Sequence, residues 1–169
     1  LEGLGHQIRN RLSREIGMPV GVGISTTKTL AKLANWAAKK WKGTGGVLDL
    51  TDSGRQEKLL RLAPVSEVWG VGHRSAARLS ALKISTAWDL AQFDISTLRD
   101  TFGVTMERTA RELRGISCIG LHEGPPPKEA ICSSKMFGER QSELPPIREA
   151  LAAYVSRAAE KLRSQSSLC

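Results

Sequence analysis

Cysteine is scarce in this sequence, and the few cysteines are too far apart to act together. None of the three takes part in a Cys-x-x-Cys motif, and the three histidines have no acidic or cysteine neighbour at ligand spacing. These six residues are Cys118, Cys132, Cys169, His6, His73 and His122. The pattern excludes a metal knuckle and a disulfide framework, and it predicts a reducing, cytoplasmic location.

Long apolar runs are also missing, and so is an excess of acidic charge. No stretch approaches the ~20 apolar residues that cross a bilayer, and the first residues lack a signal-peptide pattern, so we expect no membrane contact. Lysine and arginine outnumber aspartate and glutamate by 25 to 17, which gives a formal net charge of +8. This excess favours a polyanionic partner, nucleic acid first, although a basic protein with no such partner has the same charge.

What the sequence does have is a distinctive stretch from Val20 to Lys40. Alternating apolar residues from Val20 to Ile24 predict a strand, and Thr27 follows as one of three hydroxyl residues able to cap a helix. An apolar stripe on that helix is formed by Leu30, Leu33, Ala34, Ala37 and Trp41, and a second, polar stripe by Lys28, Lys32, Asn35 and Lys39. The polar stripe is either an ordinary solvated face or a row facing phosphates.

A P-loop is excluded for this stretch. That motif needs glycine directly before its lysine, because the backbone must approach phosphate closely, and Thr27 occupies the position before Lys28.

A second informative stretch, WGVGHR, begins at Trp69. Apolar residues before and after it predict two short helices joined by an apolar-Gly-apolar-Gly turn, a helix–hairpin–helix. Gly70 and Gly72 would allow positive φ and leave backbone N–H groups bare for a DNA phosphate, with Arg74 and Ser75 close by. The alternative is an ordinary pair of helices with a glycine turn.

The remaining segments complete an α+β pattern. Periodicity predicts a helix over 1–16, a short extended piece at 47–50 and an all-helical region over 51–115. Residues 119–130 contain three consecutive prolines and predict a semi-rigid linker. We expect a strand over 131–137, followed by an amphipathic helix that starts near Pro145.

The order of these motifs resembles that of Y-family translesion DNA polymerases of the UmuC type. The resemblance is carried by GVGIS, TKTLAKLAN, VWGVGHR, RELRG, the proline linker, KMFGER and AAEKLRS, and it covers essentially the whole chain. It implies that residues 1–42 are the C-terminal part of a palm, 43–118 a thumb with the helix–hairpin–helix, 119–130 a linker, and 131–169 the incomplete start of an α+β little finger. The chain would then be a fragment that lacks the N-terminal palm and fingers.

The resemblance also implies roles for single residues. Lys39 matches the family's late palm-helix lysine that contacts the triphosphate of the incoming nucleotide, and Lys32 would support it. Gly70, Val71 and Gly72 match the hairpin that holds DNA backbone. Lys135 stands where relatives carry Lys-Ser-x-Gly, but Met136, Phe137 and Gly138 follow it here. After Lys39 come Lys40 and Trp41 in place of the family's usual proline, a form that the UmuC type shares.

The catalytic carboxylates of the family have no counterpart here. The family binds two Mg²⁺ ions with an Asp and a later Asp-Glu pair, and this sequence has no adjacent acidic pair. We therefore expect a DNA polymerase fragment, acting with its parent in DNA repair and SOS mutagenesis, that cannot polymerise alone. The parent's partners would be damaged primer–template DNA, the incoming dNTP, a processivity clamp and accessory mutagenesis subunits. The alternative is a stand-alone helix–hairpin–helix DNA-binding module without catalysis.

Overall fold

The structure, a computed structural model, describes residues 1–120 and 130–165. These residues divide into two compact units, one on each side of the undescribed segment. Most of the predicted linker at 119–130 therefore lies outside the described residues, and so do the last four residues of the chain.

The first unit is a chain of helices with one small sheet. Its elements are α1 (Glu2–Ile16), β1 (Val22–Ile24), α2 (Lys28–Lys40), β2 (Val47–Asp49), α3 (Ser53–Leu62), α4 (His73–Ala81), α5 (Ala87–Gln92), α6 (Ile95–Phe102) and α7 (Val104–Leu113). Short 3₁₀ turns occupy Lys42–Thr44 and Val65–Glu67. The chain is thus α-rich with a small parallel sheet, which agrees with the α+β expectation at this coarse level.

The sheet consists of β1 and β2 in parallel, connected by α2. Val22 pairs with Val47, and the Val22 N–H donates to the Gly46 carbonyl at 2.9 Å. Gly23 lets α2 approach β1 closely, because a Cβ there would lie 2.2 Å from the Ala31 carbonyl oxygen and 2.3 Å from the Asn35 nitrogen. The glycines in the alternating pattern of β1 therefore also leave room for α2.

One apolar core joins α2 to the helices that follow the sheet. Leu30 and Leu33 of α2 are completely buried, as are Leu79, Leu98 and Leu113 on α4, α6 and α7. Side-chain caps begin two of these helices: the side chain of Asp52 accepts from the Arg55 N–H at 2.8 Å, and Thr86 forms a capping box with Asp89.

The helix α1 lies differently from what its apolar stripe suggests. Leu4 and Ile8 are about half exposed in the described structure, and the buried position on α1 is Gly5. A Cβ on Gly5 would lie 2.7 Å from Val47 Cγ1, so α1 contacts the sheet through its backbone. Among the described helices, none combines the length and apolarity that a bilayer span requires.

The second unit contains α8 (Leu144–Ser164), which begins with prolines in its first turn. The predicted strand at 131–137 is wrong: these residues adopt no regular structure. The physical reason is that strand geometry needs a hydrogen-bonded neighbour, and no other described segment of this unit is extended. Contacts with α8 hold this segment instead, through Lys161 Nζ to the Cys132 carbonyl at 3.3 Å and Tyr154 Oη to the Lys135 carbonyl at 3.4 Å.

Candidate nucleic-acid interface

The glycine turn before α4 is the first part of the candidate site. Gly70 has φ of +94°, in the left-handed region that glycine tolerates, whereas Gly72 has an ordinary φ of −78°. Only one of the two glycines therefore needs its conformational freedom. The predicted first helix of the hairpin is shorter than expected, because the 3₁₀ turn Val65–Glu67 takes its place.

Val71 anchors the turn in the core. Its side chain is 8 % exposed, and its N–H already donates to the Val68 carbonyl at 3.0 Å. The N–H groups of Gly72 and Arg74 have no acceptor among the described residues, and both residues are exposed at the start of α4. The groups open to an anion thus begin at Gly72, followed by the exposed Arg74 and the half-buried Ser75.

The start of α2 is fastened to α7 by hydrogen bonds. Thr27 caps α2 by accepting from the Leu30 N–H at 3.3 Å, and its hydroxyl donates to the Glu112 carbonyl at 2.9 Å. Lys28 Nζ donates to the Gly120 carbonyl at 2.6 Å. The hydroxyl expected to cap the helix therefore also holds it against a distant element.

The polar stripe of α2 divides between two clefts. Lys28, Lys32 and Asn35 line a groove of about 390 Å³ whose other side carries Trp69. Lys39 lines a cleft of about 500 Å³ together with Arg9 and Lys42. Lys39 lies seven positions after Lys32, and at 1.5 Å per residue the two are roughly 10 Å apart along the helix axis. The structure therefore does not bring these two predicted triphosphate ligands into one cleft.

Two residues of the polar stripe, Asn35 and Lys39, contact Gly21, the residue before β1. The Asn35 side chain donates its amide N–H to the Gly21 carbonyl at 2.5 Å, so it fixes α2 to the strand. The aliphatic part of Lys39 covers Gly21, where a Cβ would lie 2.7 Å from Lys39 Cγ. The Lys39 side chain is thus guided along the strand, and the residue as a whole remains exposed.

Glu112 carries a buried carboxylate that the sequence did not indicate. Its side chain is fully buried and accepts three backbone N–H groups: Thr29 at 2.9 Å, Cys118 at 2.9 Å and Ile119 at 3.0 Å. Burial alone raises the pKa of this carboxyl, but the three N–H donors outweigh burial and hold the pKa below its usual value. Thr29 is 83 positions away in the sequence, and Cys118 and Ile119 follow Glu112 outside α7, so no helical spacing rule could identify these partners.

Lys135 belongs to the second unit. Its side chain is exposed, and the structure gives it no partner within that unit's described residues. Its backbone carbonyl, by contrast, accepts from Tyr154.

The described residues do not supply a metal site. No group of three or more His, Cys, Asp or Glu side chains among residues 1–120 and 130–165 is arranged to hold an ion. Several acidic residues of the first unit serve as caps or in ion pairs, as with Asp94, whose carboxylate accepts the Thr97 N–H at 2.7 Å.

Comparison with known proteins gives clear matches along the whole chain. It is 48% identical over 169 residues to Protein MucB of Escherichia coli, and the alignment covers 100% of this chain and 40% of that protein. It is 48% identical over 170 residues to Protein UmuC of Salmonella typhimurium, again with 100% and 40% coverage. The chain thus spans about two fifths of the length of these relatives. No protein-family model matches it.

A similar fold is found among solved structures. An example is a DinB family error-prone DNA polymerase from Sulfolobus solfataricus, with a TM-score of 0.53 and 18% sequence identity. The match covers 94% of this chain and 46% of that one. At this identity the likeness concerns the fold alone.

Proposed function

We propose, from the premise that this chain is a homologue of UmuC-type Y-family DNA polymerases along its whole length, that it forms part of an error-prone translesion DNA polymerase. Its work within that enzyme is to hold primer–template DNA and to contact the incoming nucleotide. The homology includes both compact units, and therefore disfavours a stand-alone hairpin module.

The proposal keeps the domain assignment derived from the resemblance. Residues 1–42 are assigned to the palm, 43–118 to the thumb, 119–130 to a linker and 131–169 to the little finger. The division of the described residues into two units supports a linker between thumb and little finger. Packing of α2 on α7 indicates that the palm and thumb segments act as one body here.

The observation that carries the DNA-binding proposal is the exposed start of α4. Backbone N–H groups that have no acceptor among the described residues begin at Gly72, close to the exposed Arg74, and the buried Val71 anchors the turn in the core. Oriented N–H groups at a helix start favour a phosphate, and such contacts position a strand without reading its sequence. Gly70 and Ser75 are further proposed contacts at this turn, and Lys135 of the second unit is proposed separately as a DNA contact.

The incoming nucleotide is assigned to the cleft that contains Lys39. Three cationic side chains line that cleft, Lys39 with Arg9 and Lys42, and no acidic residue in the described part of the chain does. A triphosphate carries the complementary charge. We keep Lys32 only as a supporting residue in this role, because it faces a different groove.

The other components are proposed for the complete polymerase. It would use divalent metal ions, Mg²⁺ by family resemblance, held by carboxylates that the described residues do not provide. SOS mutagenesis, a processivity clamp and accessory mutagenesis subunits belong to the same proposal.

The test is a fluorescence-anisotropy titration of the full 169-residue chain with a labelled primer–template duplex at several salt concentrations. We expect log affinity to fall linearly with log salt, by about 0.9 per phosphate contacted. Gly72→Val should weaken binding equally for unrelated DNA sequences, because its side chain would block a phosphate. Gly43→Val is the matched control, since neither glycine has an atom within 4 Å of its Cβ position. Absence of binding at low salt contradicts the proposal.

A further inference from the structure

Trp69 is unusually exposed for a residue in a tightly anchored turn. Its side chain is 45 % exposed, while Val68 and Val71 on either side are 2 % and 8 % exposed. Tryptophan is on average among the more buried residues. In this turn, by contrast, a large part of its apolar surface is exposed to solvent. The indole stands directly before Gly70, at the proposed phosphate turn.

The groove beside Trp69 has cationic groups on its opposite side. Lys28 and Lys32 line it, and none of the described residues that line it is acidic. Lys28 donates to a neutral carbonyl, and within residues 1–120 and 130–165 neither lysine has an acidic partner. A groove lined by an aromatic surface and two ammonium groups is complementary to a nucleic-acid strand, which offers sugars and, where it is unpaired, flat bases at regular intervals between phosphates.

Residues on both sides of the groove contact α7, so the groove is formed before a ligand binds. On the lysine side, the Thr29 N–H donates to Glu112 on α7. On the tryptophan side, Gly70 packs on α7, because a Cβ there would lie 3.2 Å from Thr109 Oγ1. A preformed groove avoids the entropy cost of ordering its walls when a ligand binds.

We propose that Trp69 packs against a sugar or base of the bound DNA strand, and that Lys28 and Lys32 contact phosphates of the same strand. The proposal rests on the DNA-binding function above and extends the contact surface from the turn across to α2. It also gives Lys32 a main role in binding DNA, distinct from the triphosphate cleft of Lys39. Packing against an indole is tolerant of sequence because every nucleotide has a flat face.

The experiment uses the full chain, the same labelled primer–template duplex and the same salt series. Trp69→Leu keeps apolar bulk but removes the aromatic face, and we expect about tenfold weaker binding with an unchanged salt slope. Trp69→Phe should stay within about threefold of the original chain, because phenylalanine keeps a stacking surface. Lys32→Ala should reduce the salt slope by about 0.9. Leu82→Ala, at an equally exposed position in the same unit, is the control and should bind normally.

The outcomes separate this inference from the function on which it rests. If the original chain fails to bind DNA, both fall. If it binds, and Gly72→Val weakens binding while Trp69→Leu binds normally, the turn holds DNA and the groove does not. If Trp69→Phe loses as much affinity as Trp69→Leu, or if Lys32→Ala keeps the full salt slope, the assignment of this groove to a DNA strand is overturned.

Discussion

The backbone N–H of Thr29 donates to Glu112 Oε2 at 2.9 Å, and the two residues are 83 positions apart in the chain. The bond connects the first turn of α2 with the last turn of α7. The other carboxylate oxygen accepts from Cys118 and Ile119, so one side chain gathers three backbone donors from two places. A carboxylate near a helix N-terminus is also stabilised by the helix dipole.

Replacing Glu112 should destabilise the first unit. Glu112→Gln turns one accepting oxygen into an NH₂ group, which leaves at least one buried N–H without its acceptor, at a cost of about 1–3 kcal/mol. Urea unfolding followed by circular dichroism measures the change in the free energy of unfolding. Glu57→Gln is the control, because Glu57 forms an exposed pair with Arg61 and should change stability by less than about 1 kcal/mol. Equal stability of the two variants would contradict the role given to Glu112.

The same carboxylate predicts an acid-sensitive fold. The pKa of Glu112 is lowered in the folded state from its ordinary 4.5, so its contribution is complete above pH 4.5 and is lost as pH falls through the folded-state pKa. Asp89 and Asp94 act in the same direction, since hydrogen bonds at helix starts lower the pKa of each from 3.8. Unfolding measured from pH 7 to pH 3 should show a steeper loss below pH 4.5 for the original chain than for Glu112→Gln. Parallel curves would show that Glu112 titrates normally.

The two glycines of the turn should respond differently to alanine. Gly70→Ala forces a side chain into the left-handed region, which costs roughly 1–2 kcal/mol, and its Cβ would press on Thr109. Gly72→Ala meets no atom within 4 Å at an ordinary φ and should stay within about 0.5 kcal/mol. Thermal melts of the two variants provide the comparison. A large loss of stability in Gly72→Ala would refute this distinction.

Lys39 should matter for nucleotide use and little for DNA binding. In a complete polymerase carrying these residues, we expect Lys39→Ala to lower kcat/KM for the incoming nucleotide about tenfold, as for one lost charge-assisted contact. Lys40→Ala is the matched control, because Lys40 is the next residue and lies over the Trp36 ring at 4.9 Å. Single-nucleotide incorporation measures both variants. Equal rates for both would leave Lys39 as a surface charge.

Local patterns predicted much of the first unit. The cap at Thr27 and the period of α2 depend on neighbours within four residues, which the sequence displays directly. Errors arose where a feature depends on distant partners. The strand at 131–137 needs a pairing neighbour, and the role of Glu112 depends on N–H groups that only the folded chain brings near.

In the candidate site, too, the sequence predicted local features but not those that depend on the folded structure. The sequence placed Gly70 in a turn correctly, but the burial of Val71 and the ordinary φ of Gly72 follow from how the turn rests on the core. The separation of Lys32 from Lys39 follows from helix length once the two clefts are known. Whether these residues contact DNA and nucleotide stays a prediction for the experiments above.

The bond between Thr29 and Glu112 also imposes an order on synthesis. After Thr29, a ribosome that adds about 5–20 residues per second needs roughly 4–17 s to add the 83 residues that end with Glu112. During that interval α2 emerges without the acceptor that fastens its first turn. Protection of the Thr29 amide from hydrogen exchange should therefore appear only in nascent chains long enough to include Glu112.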